Sequence, residues 1–568
     1  MFFQNSLHLI SDKCRNNLNF LFLWCLCVAN MAYMHLLVSG GESARLLDNG
    51  IVLAYGLLDT ALLGLLLGCC SFGRARVLLW MTYVLSFLLS ISNVVYSRFF
   101  GNYLTFDSLA IVGEFGLSFY LQYVADAFRW SDIYYILSLG LFILCVRRLR
   151  QITWSRQILL ILGTILGFYV LRDTVVWTKD IKGPKVLIAE YGRALSLYQR
   201  PTISQNGGLV LCQAYMLYNS QMEVELSAEE LDYIQSNYTP TIPLTDSDSV
   251  APRKNVVLIL VESYLSCVTD SVYEGQMVTP FLTELKNQPY VYYNGRMKSN
   301  ISMGESSDGQ FIYMTGLYPL EDVCTVSIAK NKRFPSPPEL LKRDYGYRTM
   351  ITMPTPPDCW QQQQMCVAYG IDSIYCSYDF APDRNHLNDA EVLQLAKMHQ
   401  DTTGSPFFDL ILTYSMHSPY KAMSYEPVVK GGPYSSEFKN YMAVCHYTDQ
   451  QLQAYFEWTK EVGLFENTIF IIVADHHAHD HFLNTPSAKL GDMCLPFFLV
   501  DTDRDFSNIP TPECNQTDVY ATLTEYLGLR SPWKGVGQNI MHSDSIVVSD
   551  TLKHKEMSAR ILRSNYFD

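Results

Sequence analysis

The stretch TIFIIVADHHAHD, Thr468–Asp480, sets an apolar, β-branched run directly against two Asp and three His. The run Thr468–Val473 has the length and composition of a buried strand. Asp475 and His476 leave its C-terminal end together, and a carboxylate beside an imidazole at a strand end points to a metal site. A polar turn that happens to be His-rich is the plain alternative. Two further strand-like runs end in the same kind of residue. Glu262 closes NVVLILVE, and His417 closes DLILTYSMH. YRTMITM and LPFFLVDTD read as strands too. The segments Asp389–His399, Ser436–Val462 and Gln516–Leu527 read as helices between several of them. This alternation implies a mostly parallel sheet with helices on both faces, and in such sheets the chemistry gathers at the strands' C-terminal ends.

The rest of the chain has a different character. Of 568 residues, 49% are apolar and only 17% charged, and the apolar excess falls early. Five apolar segments occupy the first 175 residues, at Leu18–Val38, Ile51–Cys70, Val77–Tyr96, Ile133–Val146 and Ile158–Leu171. The first three have the length of a bilayer crossing and the last two are short. Five in succession argue for an α-helical membrane domain of five transmembrane helices over core helices of a soluble protein. The first is read as retained, because it lacks a small-residue cleavage site and more spans follow at once. Lys13 and Arg15, then Arg74 and Arg76, then Arg147, Arg148, Arg150 and Arg156 fall on one side if all five cross. The positive-inside rule makes that side cytoplasmic. The expected protein is thus a multi-pass protein of the cytoplasmic membrane, with its N-terminus inside and its second half extracytoplasmic.

Residues 1–180 hold 13 Lys/Arg against 10 Asp/Glu, leaving 29 against 45 for residues 181–568. An acidic second half excludes nucleic acid as the expected partner. The expected organisation is a membrane domain over 1–175, a helical connector and linker over 176–254, a catalytic domain over 255–545 and a C-terminal tail over 546–568. Within the connector, Ala189–Gln199 has mixed helical spacing, and Ser227 with Glu230 marks a helix start. Thr239–Lys254, rich in Pro, Ser, Thr and Asp, reads as an extended linker. Nine of the 15 Cys follow residue 200. An outer location permits disulfides, and Cys359 with Cys366 is one pairing the spacing allows.

Three local features carry candidate chemistry. Glu262 needs a metal, a cation or solvent, because a carboxylate is costly to bury unpaired. Ser306 lies in SMGESSDGQF before a helix-like run, where amide dipoles stabilise a bound phosphate. Ser306 or Ser307 acting only as a cap, with Gln310 completing the box, is the alternative. His417 fits either a satisfied core histidine or a site residue.

Taken in order, the Glu, the Ser loop, the His and the Asp-His pair resemble the lipoteichoic acid synthase group of membrane phosphotransferases, in the alkaline phosphatase and sulfatase superfamily. KNVVLILVES, GESSDGQF, YSMH and ADHH carry the resemblance, with five N-terminal spans and a helical connector. YGID, LPFFLVD and TDVYATLTEYLGL are weaker matches. The resemblance implies an α/β alkaline-phosphatase-like domain and one divalent metal, manganese first and magnesium or zinc as alternatives. Carried over by position, the metal ligands are Glu262, Ser306, Asp475 and His476. Ser306 replaces a Thr nucleophile, and His417 matches the histidine on the substrate phosphate. His477 stands at a Tyr position, where it tunes the site or binds a second ion. The family's Trp and Arg that grip phosphoglycerol match Trp360 and Gln362, so the guanidinium fork is missing and the headgroup is open.

The implied reaction moves a phospho-alcohol headgroup, phosphoglycerol or phosphoethanolamine, from a phospholipid donor to an envelope glycan or lipid through a phospho-Ser306 adduct. A sulfatase-like hydrolase on the same fold is the alternative. A formylglycine sulfatase needs Cys or Ser followed two residues later by Pro and then Arg, and ESSDGQF has neither. A degenerate, non-catalytic scaffold is disfavoured by the intact Glu262, Ser306, Asp475 and His476 set.

Overall fold

A computed structural model describes residues 2–39, 46–71, 74–100, 129–147, 154–180, 224–240 and 254–568. Short pieces at 103–104, 149, 208–210 and 213–214 are also described. Residues 303, 322, 401–403, 405, 419, 421–424, 479–483, 486–487, 490–492 and 543–550 lie outside this set. The connector helix expected at Ala189–Gln199, and most of the linker at Thr239–Lys254, also fall outside it. The chain divides into two compact units, Met1–Gln221 and Met222–Asp568.

The first unit places a helix on each of the five apolar segments: Phe2–Ser39, Leu46–Gly68, Ala75–Phe100, Ile133–Val146 and Trp154–Asp180. Among the described residues, Leu18–Val38 and Ala75–Arg98 are long and apolar enough to cross a bilayer. Val52–Gly68 and Trp130–Val146 are shorter apolar helices. The core between them is aromatic, with Tyr83 and Phe142 stacked at 3.8 Å. One polar knot interrupts it. His35 Nε2 meets Asp59 Oδ2 at 2.7 Å, and the same carboxylate accepts the amides of Leu209 and Val210. Burial is tolerated there because each charged atom has a partner.

The second unit is an α/β domain around an eight-stranded sheet. Its strands are β1 (Asn255–Val261), β2 (Val291–Lys298), β3 (Arg348–Thr352), β4 (Ser373–Tyr375), β5 (Phe407–Leu412), β6 (Thr468–Ala474), β7 (Leu495–Val500) and β8 (Cys514–Asn515). Their order is β8-β2-β7-β6-β1-β5-β3-β4. The sheet is mixed, because β7 runs antiparallel to both of its neighbours while the other pairings are parallel. β1 sits centrally, and every residue from Val256 to Val261 is buried. That explains its unbroken apolar run, since a strand covered on both faces has no polar side.

Helices expected at Asp389, Ser436 and Gln516 form as Asp389–His399, Ser436–Glu461 and Gln516–Tyr526. Ser227 caps Ala228–Asn237 through a reciprocal bond with Glu230. Residues 551–563, placed in a tail by the sequence reading, form a helix with buried Ile561 and Leu562. It is tied into the domain by Tyr238 Oη to His554 Nδ1 at 2.7 Å. The Cys359–Cys366 bridge does not form: Cys366 is a free thiol that accepts the Gln362 amide.

Candidate active site

β1 and β6 lie side by side and in register, pairing Val261 with Ala474. Their next residues, Glu262 and Asp475, therefore emerge together at the C-terminal edge. Backbone bonds fix both. The Glu262 amide donates to Thr413 Oγ1 at 2.9 Å, and the Asp475 amide donates to the Val261 carbonyl at 3.3 Å. Asp475 Oδ1 then accepts the amides of Ser263 and His476 at 2.8 and 2.7 Å. One carboxylate thus locks the turns after both strands.

Ser306 is the first residue of the helix Ser306–Thr315. Its Oγ lies 3.2 Å from Glu262 Oε2 and 3.2 Å from His476 Nε2. Ser307 turns the other way and donates to the Gly304 carbonyl at 2.7 Å. The presentation of Ser306 has a structural cause. Glu305 is held at φ 44°, a conformation side chains resist. Asp308 enforces it by accepting the amides of Ser302 and Gly304 and the hydroxyl of Thr325. The helix also approaches the cluster closely. A Cβ on Gly309 would lie 2.1 Å from the Asp475 carbonyl oxygen, so the position requires glycine.

Glu262, Asp475 and His476 offer ligand atoms within 4.8 Å of one another, all buried. The donor set fits a divalent cation. His476 Nδ1 donates to the His477 carbonyl at 2.8 Å, which turns Nε2 towards Ser306 and Glu262. Burial drives the Glu262 carboxyl up, but the hydrogen bond and charge of His476, with the charge of His417, outweigh it and hold it well below the usual range. Burial first, and repulsion from Glu262 second, push Asp475 up to about 7. Burial opposes a proton on His476, yet the charges of Asp475 and Glu262 outweigh it and raise its pKa. Two buried carboxylates this close call for positive charge between them.

The other sequence-predicted residues lie around this cluster to different degrees. His417 follows β5, with Nδ1 on the Ser418 carbonyl at 2.6 Å and its ring stacked on Tyr414 at 5.0 Å. His477 is half-buried beside His476. Trp360 is half-buried at φ 54°. Gln362 is buried, and its amide turns to Cys366 Sγ at 3.8 Å, not to the metal-type cluster. Upstream of the Ser loop, Arg296 and Lys298 both pair with Glu513 at the surface. Sequence reasoning missed Asp308, Thr413 and Gln516, which support the site from outside. Gln516 donates to the Asp475 carbonyl at 2.7 Å. It also missed His386, whose ring lies 5.2 Å from Tyr414. Asp308 was the legible one, because it sits inside GESSDGQF.

Residues 254–529 match the Sulfatase family. The chain is 24% identical over 498 residues to the lipoteichoic acid synthase of Staphylococcus aureus (strain bovine RF122 / ET3-1), covering 83% of this chain and 76% of that one. The lipoteichoic acid synthase LtaP from Listeria monocytogenes is 18% identical, with a TM-score of 0.49 over 60% of this chain and 98% of that one. The integral membrane lipooligosaccharide phosphoethanolamine transferase A (EptA) from Neisseria meningitidis is 12% identical. It matches 90% of this chain and 95% of its own with a TM-score of 0.56, a likeness of fold that takes in the helical region. Residues 254–529 thus form a Sulfatase-type domain, in a chain similar to a lipoteichoic acid synthase over most of its length.

Proposed function

We propose that this protein is a membrane-anchored, metal-dependent phosphotransferase. It moves a phospho-alcohol headgroup, phosphoglycerol or phosphoethanolamine, from a phospholipid to an envelope glycan or lipid. The observation that carries this reading is the position of Ser306 Oγ, 3.2 Å from both Glu262 and His476 at a helix N-terminus. Ser306 Oγ attacks phosphorus in line, and the bond to the lipid alcohol breaks. The acceptor hydroxyl then attacks the phospho-Ser306 adduct and regenerates the serine. Glu262, Ser306, Asp475 and His476 would hold the cation, manganese first, which when bound supplies charge to the phosphate oxygens and favours the Ser306 alkoxide. The helix amides face the same charge, and His417 binds the phosphate from the β5 side. Trp360 and His477 complete the expected substrate surface, while Gln362, assigned there by the resemblance, keeps its amide on Cys366. The five-crossing topology, N-terminus inside and residues 176–568 outside, puts this site at the outer face of the membrane.

The test is release of diacylglycerol from phosphatidylglycerol and phosphatidylethanolamine by the purified full-length protein, alongside release of sulfate from an aryl sulfate. Diacylglycerol release supports the reading. Sulfate release without diacylglycerol would replace it with the sulfatase-like alternative.

A further inference from the structure

Beyond the cluster, the C-terminal edge of the sheet continues as a row of rings: His417, Tyr414 and His386. Tyr414 stacks on His417 at 5.0 Å with planes 19° apart, and His386 lies 5.2 Å from Tyr414 on its own side. The row begins at the cluster, because the turn carrying Tyr414 and His417 starts at Thr413, whose hydroxyl accepts the Glu262 amide. It ends beside the loop that the family resemblance assigns to the headgroup. The Leu387 amide donates to the Pro354 carbonyl at 2.9 Å, so His386 stands at the foot of the segment leading to Trp360 and Gln362.

The row is held firmly. Asp389 Oδ1 accepts the amides of Tyr414 and Ser415, both at 2.8 Å. Arg384 forks onto both Glu391 oxygens at 2.5 and 2.8 Å, and donates to the His386 carbonyl at 3.2 Å. The His386 ring itself is half-buried, and its nitrogens make no hydrogen bond among the described residues. A fixed backbone that keeps a solvent-reachable imidazole in one place beside the headgroup loop suits a binding group.

We infer that His386 is a substrate-binding, specificity-determining residue of this site, which hydrogen-bonds a hydroxyl of an uncharged donor headgroup. The inference rests on the phosphotransferase reading above and names the headgroup class for it. Burial first, then the charges of Arg384 and His417, outweigh the opposing charge of Glu391 and hold the His386 imidazole below its usual pKa range. Surroundings that resist a proton on imidazole also resist an ammonium group. A neutral imidazole donates from one nitrogen and accepts at the other, which matches a hydroxyl. His386 thus takes up recognition that the Gln362 position, with its amide on Cys366, does not supply.

The experiment is calorimetric titration of the full-length protein, in detergent with manganese, by sn-glycerol phosphate, phosphoethanolamine and inorganic phosphate. The wild type is expected to bind glycerol phosphate more tightly than the other two. His386→Ala should weaken glycerol phosphate by about 10-fold, one hydrogen bond's worth, and leave inorganic phosphate unchanged. His386→Asn, which keeps a donor and an acceptor, should recover most of the loss, and it carries the test if the alanine variant folds poorly. Equal weakening of all three ligands, no weakening, or a wild-type preference for phosphoethanolamine overturns the inference. Inorganic phosphate reports the phosphoryl site without the headgroup. A failure at His386 with phosphate binding intact therefore leaves the phosphotransferase reading standing, and absence of all three overturns both.

Discussion

The two halves of the candidate site are built differently. On the β1–β6 side, main-chain strand register brings Glu262 and Asp475 together, and clamps from Thr413, Asp475 and Asp308 then hold the turns that carry His476 and Ser306. On the β5–β3 side, His417, Tyr414 and His386 are placed by ring contacts and side-chain clamps. Geometry that comes from the main chain leaves little freedom in residue type, because the ligand must sit where the strand ends. Geometry that comes from side chains and loops can be rebuilt with other residues. On the resemblance set out above, the chemical half keeps the expected residue types with Ser306 in place of a Thr, while the headgroup half departs at Gln362.

The largest expected effect lies in the first half. Ser306→Ala should lower phospholipid turnover by at least about 1,000-fold, the scale of losing a covalent nucleophile. Ser307→Ala should keep most of it and cost about 1 kcal/mol, since it removes one bond to the Gly304 carbonyl. Ser306→Thr should remain active. A dead Ser307→Ala beside an active Ser306→Ala would break the assignment of this loop. Next, Asp475→Ala and His476→Ala should each strip the divalent metal found by elemental analysis, with the protein still folded by circular dichroism. Metal at wild-type stoichiometry in both variants would move the site elsewhere.

Gly309→Ala sharpens the contrast without touching a ligand. Its new methyl group would run into the Asp475 carbonyl, so helix and turn must part. A destabilisation of about 1–3 kcal/mol is expected from such overpacking, together with weaker metal binding. Unchanged metal affinity would show that the main-chain lock is looser than its geometry implies.

Beneath the second half, Asp409 in β5 accepts from Thr352 of β3 and from Gln400. Burial pushes its carboxyl up to about 7, against those two hydrogen bonds. The folded state therefore holds this proton more tightly than the unfolded chain. Stability falls as pH rises from the unfolded value near 4 towards 7, and the cost is complete above that. Asp409→Asn should stabilise the fold at pH 8, by on the order of 4 kcal/mol and read as a higher thermal midpoint, and do little at pH 4. An equal shift at both values would contradict the assignment. The smallest effect is expected at Gln362→Arg. With the amide directed at Cys366, the ratio of phosphatidylglycerol to phosphatidylethanolamine turnover should change less than in His386→Ala.

This contrast also sets what the sequence makes legible. Glu262, His417 and Asp475 stand out because each ends an apolar run, and the register of neighbouring strands then brings two of them together. β2 is missed because Asn294–Gly295 reads as a turn. In the fold Asn294 is buried, donates to the Pro512 carbonyl at 2.8 Å, and pairs next to a register shift in β7. The helix Thr551–Arg563 reads as a tail because its partner Tyr238 lies 316 residues upstream of His554. His386 carries no local signal at all. It sits in a polar loop, and only the Leu387–Pro354 bond and the Tyr414 ring give it a place.

The most direct test of the central claim is the mass of the peptide containing Ser306 after the full-length protein meets phosphatidylglycerol or phosphatidylethanolamine and is quenched in acid. The account predicts a phospho-headgroup adduct on Ser306, absent from Ser306→Ala and present in Ser307→Ala. Turnover of either lipid with no adduct on Ser306, or an adduct on another residue, would contradict it.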